Sequence, residues 1–210
     1  EQVTWLLLHS FASELAGQTT VHDVKMSDLV LRAAGRLGAR PVVERSGHAF
    51  IRARMLEADG RFGAELSGHY FYRELQGGDD GLFTACRMLD LLAARQRTLR
   101  DLRLACPPVF TTPDLRLTVR GDEQDRLIAA VRDTFSSHPQ LFLDGVRIDF
   151  ADGWGLIRKS VTEEAITCRF EGAGGEALDR IVNAFGVALG AHGAALLELY
   201  RGRSFAPDGD

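Results

Sequence analysis

Hydrophobic and polar positions follow two different grammars on either side of a proline-rich seam. Before the seam, apolar residues at helical spacing alternate with short runs at strand spacing. The pattern predicts helix over residues 3–16, strand over 20–24, helix over 27–37 with Ser27 as its N-cap, and strand over 40–44. It continues with helix over 48–57, strand over 61–66, and helix over 80–94 with apolar residues at Leu82, Cys86, Leu89 and Leu92. Helices alternating with strands predict an α/β layered domain on a mostly parallel sheet. Such sheets bind ligands at their strand ends, so the loops there are where chemistry is sought.

The seam is Cys106-Pro107-Pro108-Val109-Phe110-Thr111-Thr112-Pro113. Its prolines lock φ and restrict their neighbours, which predicts an extended linker. Beyond it the pattern gives strands over 115–119, 146–150 and 165–170 and helices over 124–136 and 175–189. This predicts a smaller α+β domain with helices packed on an antiparallel sheet, in which the segment around Arg158 joins two strands as a long hairpin. The expected organisation is a first domain over 1–105, a linker over 106–113 and a second domain over 114–210.

A length of 210 residues suits two small domains, each able to bury a core. The net charge of −4 argues against a nucleic-acid partner, and Arg95, Arg97, Arg100 and Arg103 are spaced as a solvated helix face would be. Cys86, Cys106 and Cys168 are odd in number and lack metal-like spacing, so they read as reduced thiols of a cytoplasmic protein. Residues 5–8 form an apolar patch too short for a signal sequence. The longest apolar stretch, 184–197, is interrupted by His192 and is expected to be a buried helix and not a membrane span.

Two segments carry candidate chemistry. Gly63-Ala64-Glu65-Leu66-Ser67-Gly68-His69 sets a carboxylate, a hydroxyl and an imidazole at alternate positions. Read as extended chain, it projects Glu65, Ser67 and His69 from one face, where they can converge on a polyol. Each charge-assisted bond from Glu65 to a sugar hydroxyl would contribute roughly 1.5 to 3 kcal/mol. The second segment, residues 152–162, places Arg158, Lys159, Ser160 and Thr162 on a glycine-bearing turn. A planar guanidinium with neighbouring hydroxyl and backbone donors suits a phosphate. Taken alone, a glutamate at a strand end is usually a surface charge, and a mixed-charge hairpin tip is usually solvated. His48, Glu65 and His69 could also be imagined as a metal cluster, but they lack the helical spacing of a zinc motif.

In this order the two segments resemble the α-D-phosphohexomutases, the phosphomannomutase and phosphoglucomutase family. The resemblance extends to Asp23-Val24-Lys25-Met26-Ser27, Gly47-His48-Ala49-Phe50-Ile51-Arg52 and Asp79-Asp80-Gly81, and covers nearly the whole chain. It implies the third and fourth domains of a four-domain enzyme. The T-A-S-H-N-P-like phosphoserine loop and the D-G-D-x-D-R-like magnesium loop of the first two domains do not occur in these residues, and Asp208-Gly209-Asp210 echoes the latter only in part. A start at Glu1 instead of methionine fits such a portion.

The resemblance implies that Glu65, Ser67 and His69 hold the 3- and 4-hydroxyls of a hexose, a pair that looks nearly the same after the sugar turns end over end. It implies that Lys25 approaches phosphate or hydroxyl, and that His48 is a proton-transfer partner, a role suited to a group titrating near neutral pH. The reaction implied is a reversible shift of phosphate between C1 and C6 through a phosphoserine and a hexose 1,6-bisphosphate, with Mg2+ in the complete enzyme and hexose phosphate as substrate. Missing N-terminal domains would then be partners, and nucleic acid and membrane would not. Val161 and Glu164 depart from the family's R-x-S-N-T-x-P pattern, and Glu163 and Glu164 add negative charge that Lys159 partly offsets. The alternative is a stand-alone, non-catalytic sugar-phosphate-binding module.

Overall fold

The computed structural model describes residues 1–160 and 163–202. Val161, Thr162 and Asp208-Gly209-Asp210 lie outside the described residues. The chain divides into two compact units, Glu1–Pro107 and Pro108–Asp210.

The first unit runs α1 (Gln2–Ser10), β1 (Thr19–Asp23), α2 (Asp28–Arg36), β2 (Arg40–Glu44), α3 (His48–Glu57), β3 (Phe62–Ala64), β4 (Tyr70–Tyr72), β5 (Gly78–Asp79), α4 (Gly81–Arg95) and α5 (Leu99–Leu104). Its sheet has the order β2-β1-β3-β4-β5. β1 is parallel to β2 and β3, whereas β3–β4 and β4–β5 are antiparallel, so the expected parallel sheet carries an antiparallel edge. Leu7, Leu8 and Phe11 pack with Val30, Ala33, Ala34, Phe62 and Tyr72, while Ile51 and Met55 of α3 pack with Val21 and Phe71. Helices therefore cover both faces of the sheet, as its apolar strands require.

Ser27 caps α2 as expected, its Oγ accepting from the Leu29 N–H at 3.0 Å. The helix predicted over 3–16 stops at Ser10. A 3-10 turn, Ala12–Glu14, follows and allows Phe11 and Leu15 both to be fully buried. On α4 the residues facing the core are Phe83, Met88 and Leu91, while Leu82 and Leu89 are 76% and 64% exposed.

The second unit contains β6 (Phe110–Thr111), β7 (Leu115–Thr118), α6 (Glu123–Thr134), β8 (Gln140–Leu141), β9 (Val146–Phe150), β10 (Gly153–Lys159), β11 (Ala165–Gly172), α7 (Gly175–Ala188) and α8 (Gly193–Arg201). Its antiparallel sheet has the order β6-β11-β10-β9-β8, with β7 also on β11. Val146, Ile148, Ile157, Ile166, Cys168 and Phe170 form one sheet face with Leu178, Ile181, Val182 and Phe185 of α7. Phe110 and Thr111, expected within the linker, are thus part of this sheet.

Two expectations are corrected here. Residues 153–159, read as a glycine-bearing turn, form a central strand paired on both sides. Gly155 is there for close packing, because a Cβ at that position would come within 2.5 Å of the Phe185 ring. The apolar stretch 184–197 is not one helix. It breaks at a 3-10 turn where Gly190 has φ +55°, and Gly193 then lies so near Gly186 that a Cβ would sit 1.9 Å from the Gly186 carbonyl oxygen. Among the described residues no helix is long and apolar enough to cross a membrane.

Candidate functional site

β1, β2 and β3 are mutually parallel and end on one side of the first sheet. Strand order 2-1-3 sends the connection through α2 toward β2 and returns the chain through α3 to the other side of β1. The ends of β1 and β3 therefore flank a topological switch point, where open α/β sheets bind ligands. Asp23 closes β1, Ser46 and Gly47 lead into α3, His48 is its first residue, Glu65 follows β3 and Asp79 ends β5.

Glu65, Ser67 and His69 do converge, but not by strand alternation. β3 ends at Ala64 and the chain reverses at once. The Glu65 N–H donates to the His69 carbonyl at 2.9 Å and the Gly68 N–H to the Glu65 carbonyl at 3.1 Å. Gly68 holds φ +89°, which favours glycine. This hairpin brings His69 Nδ1 to 2.9 Å from Ser67 Oγ and 3.3 Å from Glu65 Oε2. Glu65 itself is buried, and its Oε1 accepts the Gly47 N–H at 3.0 Å. Burial, and then the Asp23 carboxylate, push the Glu65 carboxyl up, against the opposing pull of His69, the Gly47 N–H and His48.

His48 Nε2 donates to Asp79 Oδ1 at 2.7 Å, and the His48 ring meets that of His69 edge-on at 5.7 Å. The hydrogen bond from His48 holds the Asp79 carboxyl below its ordinary value. A carboxylate on Nε2 leaves Nδ1 as the nitrogen with a lone pair in the neutral ring, an arrangement suited to taking a proton. Lys25 stands in the turn after β1, half-buried, with its backbone N–H donating to Asp23 Oδ1 at 3.0 Å. The first unit thus gathers Lys25, His48, Glu65, Ser67 and His69 at one end of the sheet.

In the second unit Arg158 is a buried strand residue, not a loop residue. Its Nε is 2.7 Å from Asp144 Oδ2, an ion pair without the alignment of a hydrogen bond. Lys159 Nζ reaches both Asp125 oxygens at 2.8 Å. The Ser160 N–H donates to the Ala165 carbonyl at 2.8 Å, closing the hairpin between β10 and β11. Arg158 and Lys159 end β10, Ser160 follows it, and Thr162 lies outside the described residues. Alternation along the strand sends the Arg158 and Lys159 side chains to opposite faces, which a turn would not do.

Sequence reasoning left Asp23, Ser46, Asp79 and Asp144 out of the site. Asp23 and Asp79 stood inside segments already singled out, and Asp144 precedes Gly145, a turn signal. Ser46 carried no signal. Among the described residues no group of three or more His, Cys, Asp or Glu side chains could hold a metal.

Residues 1–110 match the family described as phosphoglucomutase/phosphomannomutase, alpha/beta/alpha domain III, and residues 115–185 match its C-terminal domain. The chain is 34% identical over 188 residues to a phosphomannomutase/phosphoglucomutase of Pseudomonas aeruginosa, covering 88% of this chain and 41% of that protein. It is 31% identical over 174 residues to a phosphoglucomutase of Neisseria gonorrhoeae, with 80% and 38% covered. The structure resembles a phosphoglucomutase/phosphomannomutase family protein of Burkholderia thailandensis with a TM-score of 0.78 and 30% identity, over 90% of this chain and 41% of that one. The chain therefore spans about two fifths of the length of these relatives.

Proposed function

This chain belongs to the phosphoglucomutase/phosphomannomutase family and corresponds to its third and C-terminal domains, and on that premise we propose that it is the sugar- and phosphate-binding portion of a hexose-phosphate mutase. The observation that carries this reading is the gathering of Glu65, Ser67, His69 and His48 at the switch point of the first sheet. Glu65 and Ser67 grip adjacent sugar hydroxyls, the carboxylate as a charged acceptor held in place by the Gly47 N–H. His69, shared between them, orients both. His48, fixed by Asp79, exchanges a proton with a reacting hydroxyl through Nδ1. Lys25 adds a cation for phosphate or hydroxyl at the same strand ends.

Arg158, Lys159, Ser160 and Thr162 of the second unit supply phosphate donors. Arg158 is held by Asp144 through Nε, so the guanidinium keeps a fixed plane and its terminal nitrogens can face an anion. The exchange of phosphate between C1 and C6 through a phosphoserine and a hexose 1,6-bisphosphate needs a nucleophile and magnesium ligands from elsewhere in a longer polypeptide. The magnesium has no matching ligand set among the described residues, and no step assigned to these residues runs through it.

The test is an assay of this chain with glucose 1-phosphate, glucose 1,6-bisphosphate and magnesium, beside direct titration with the sugar phosphate. Binding without turnover is the expected result. Turnover at the rate of a complete mutase would contradict the division of labour, and absence of both would remove the reading.

A further inference from the structure

Asp23 ends the interior strand β1 and is only 2% exposed. A carboxylate so placed loses its hydration and must be offset by donors. Its donors come from three separate loops. Oδ1 accepts the Lys25 N–H at 3.0 Å from the turn after β1, and the Ser46 hydroxyl at 2.6 Å from the loop before α3. Oδ2 accepts the Leu66 N–H at 3.4 Å from the hairpin after β3. The first is a local turn bond, but Ser46 and Leu66 are distant in sequence. They are also the neighbours of the two residues joined by the Gly47 N–H to Glu65 Oε1 bond. Asp23 therefore ties down both ends of the bond that orients Glu65.

We propose that Asp23 is the positioning residue of this site, locking the turn after β1, the loop before α3 and the hairpin after β3 into one register so that Glu65 presents its carboxylate to the sugar. The inference rests on the reading of Glu65, Ser67 and His69 as the sugar grip. The bond from the Ser46 hydroxyl at 2.6 Å is the short, charge-assisted one, and the longer bonds from the Lys25 and Leu66 N–H groups bring in the other two loops. Asp23 also acts through its charge. Glu65 is faced by Asp23 from β1, by the Gly47 N–H and His48 from the start of α3, and by His69 from the hairpin, with Asp79 facing His48 from β5. A second negative charge beside Glu65 makes that carboxyl harder to ionise, so removing it should move the acid limit of sugar binding to lower pH.

Asp23→Asn keeps the shape and removes the charge, and Ser46→Ala removes one tie without touching β1. Hydrogen exchange of the intact chain should show faster exchange in peptides spanning 45–48 and 65–69, by about tenfold in Asp23→Asn and less in Ser46→Ala, with β1 and β2 unchanged. Calorimetry with glucose 1-phosphate should show affinity reduced by about tenfold in Asp23→Asn at pH 7, with the pH midpoint of binding displaced downward. A merely structural loss would weaken binding without moving that midpoint. Unaltered exchange in both loops, or loosened loops with an unmoved midpoint, overturns the proposal. If Asp23→Asn does not fold, Ser46→Ala decides, and exchange and affinity equal to those of the unaltered chain overturn it. If the loops loosen but the unaltered chain does not bind glucose 1-phosphate, the sugar-grip reading falls while the registering role of Asp23 stands.

Discussion

Glu65 Oε2 stands 3.3 Å from His69 Nδ1 across the hairpin that turns β3 into β4, with the carboxylate buried and the imidazole half exposed. Burial and the neighbouring Asp23 raise the Glu65 carboxyl above its ordinary value. A group raised in this way favours the fold while protonated, and that contribution is lost as pH rises through its folded value. Glu65→Gln retains an acceptor for the Gly47 N–H and removes the buried charge. It should therefore raise the melting temperature at pH 7 by about 2 °C, and lose that advantage toward pH 4, as thermal melts across pH would show.

Asp79 works in the opposite direction. Its hydrogen bond from His48 lowers its carboxyl value, so its contribution is present above the ordinary carboxylate range and is lost as pH falls through the lowered value. Both side chains are substantially exposed, so Asp79→Asn should change stability by less than about 0.5 kcal/mol. The loss should fall on function, because the imidazole is no longer fixed. In a complete mutase carrying this change, kcat should fall by about tenfold with little change in KM. A normal kcat would remove His48 from proton transfer.

His22 gives the fold its own acid sensitivity. It is fully buried on β1, with Nε2 2.9 Å from Thr20 Oγ1, and burial pushes its value down to about 3 from 6.5. The depressed value means that its contribution is complete above the unfolded value and is lost progressively as pH falls toward the folded one. Between pH 6.5 and about 4 this residue should cost roughly 3 kcal/mol, and His22→Gln should flatten that part of the urea-denaturation profile. An unchanged slope would show that another group governs it.

Asp144, in the turn before β9, and Arg158, near the end of β10, form a buried ion pair. Asp144→Ala leaves the guanidinium buried and uncompensated, which should destabilise the second unit by about 3 kcal/mol in chemical denaturation. Gly145→Ala should be comparable or worse, since φ is +75° and a Cβ would lie 2.1 Å from the Ile157 carbonyl oxygen. A loss of under about 1 kcal/mol in Asp144→Ala would mean that the pair is hydrated in solution, and an equally small loss in Gly145→Ala would mean that the turn can shift to admit a Cβ.

Most elements were legible because helical and strand periodicities are strong where one face is buried. The strand over 40–44 and the helix over 48–57 coincide with β2 and α3, and Ser27 caps α2 as its residue type predicts. The failures share a cause. Gly153 and Gly155 read as turn residues because local sequence does not reveal that Glu171 and Ile181 crowd the first and Phe170 and Phe185 the second. Glu65, Ser67 and His69 come together, but by a different route from the one their spacing implies. Alternation along a strand would have converged Glu65, Ser67 and His69, but a reversal at Gly68 does so instead. Asp23, Ser46 and Asp79 act through partners far away in sequence, which no spacing rule detects.

On the proposed reading, Glu65 anchors a hexose phosphate in the first unit. Calorimetric titration of glucose 1-phosphate into this chain and into its Glu65→Gln variant at pH 7 decides whether it does. Measurable binding by the unaltered chain, weakened by about tenfold or more in the variant, is the predicted result. Equal affinities, or no heat from either protein, would contradict it.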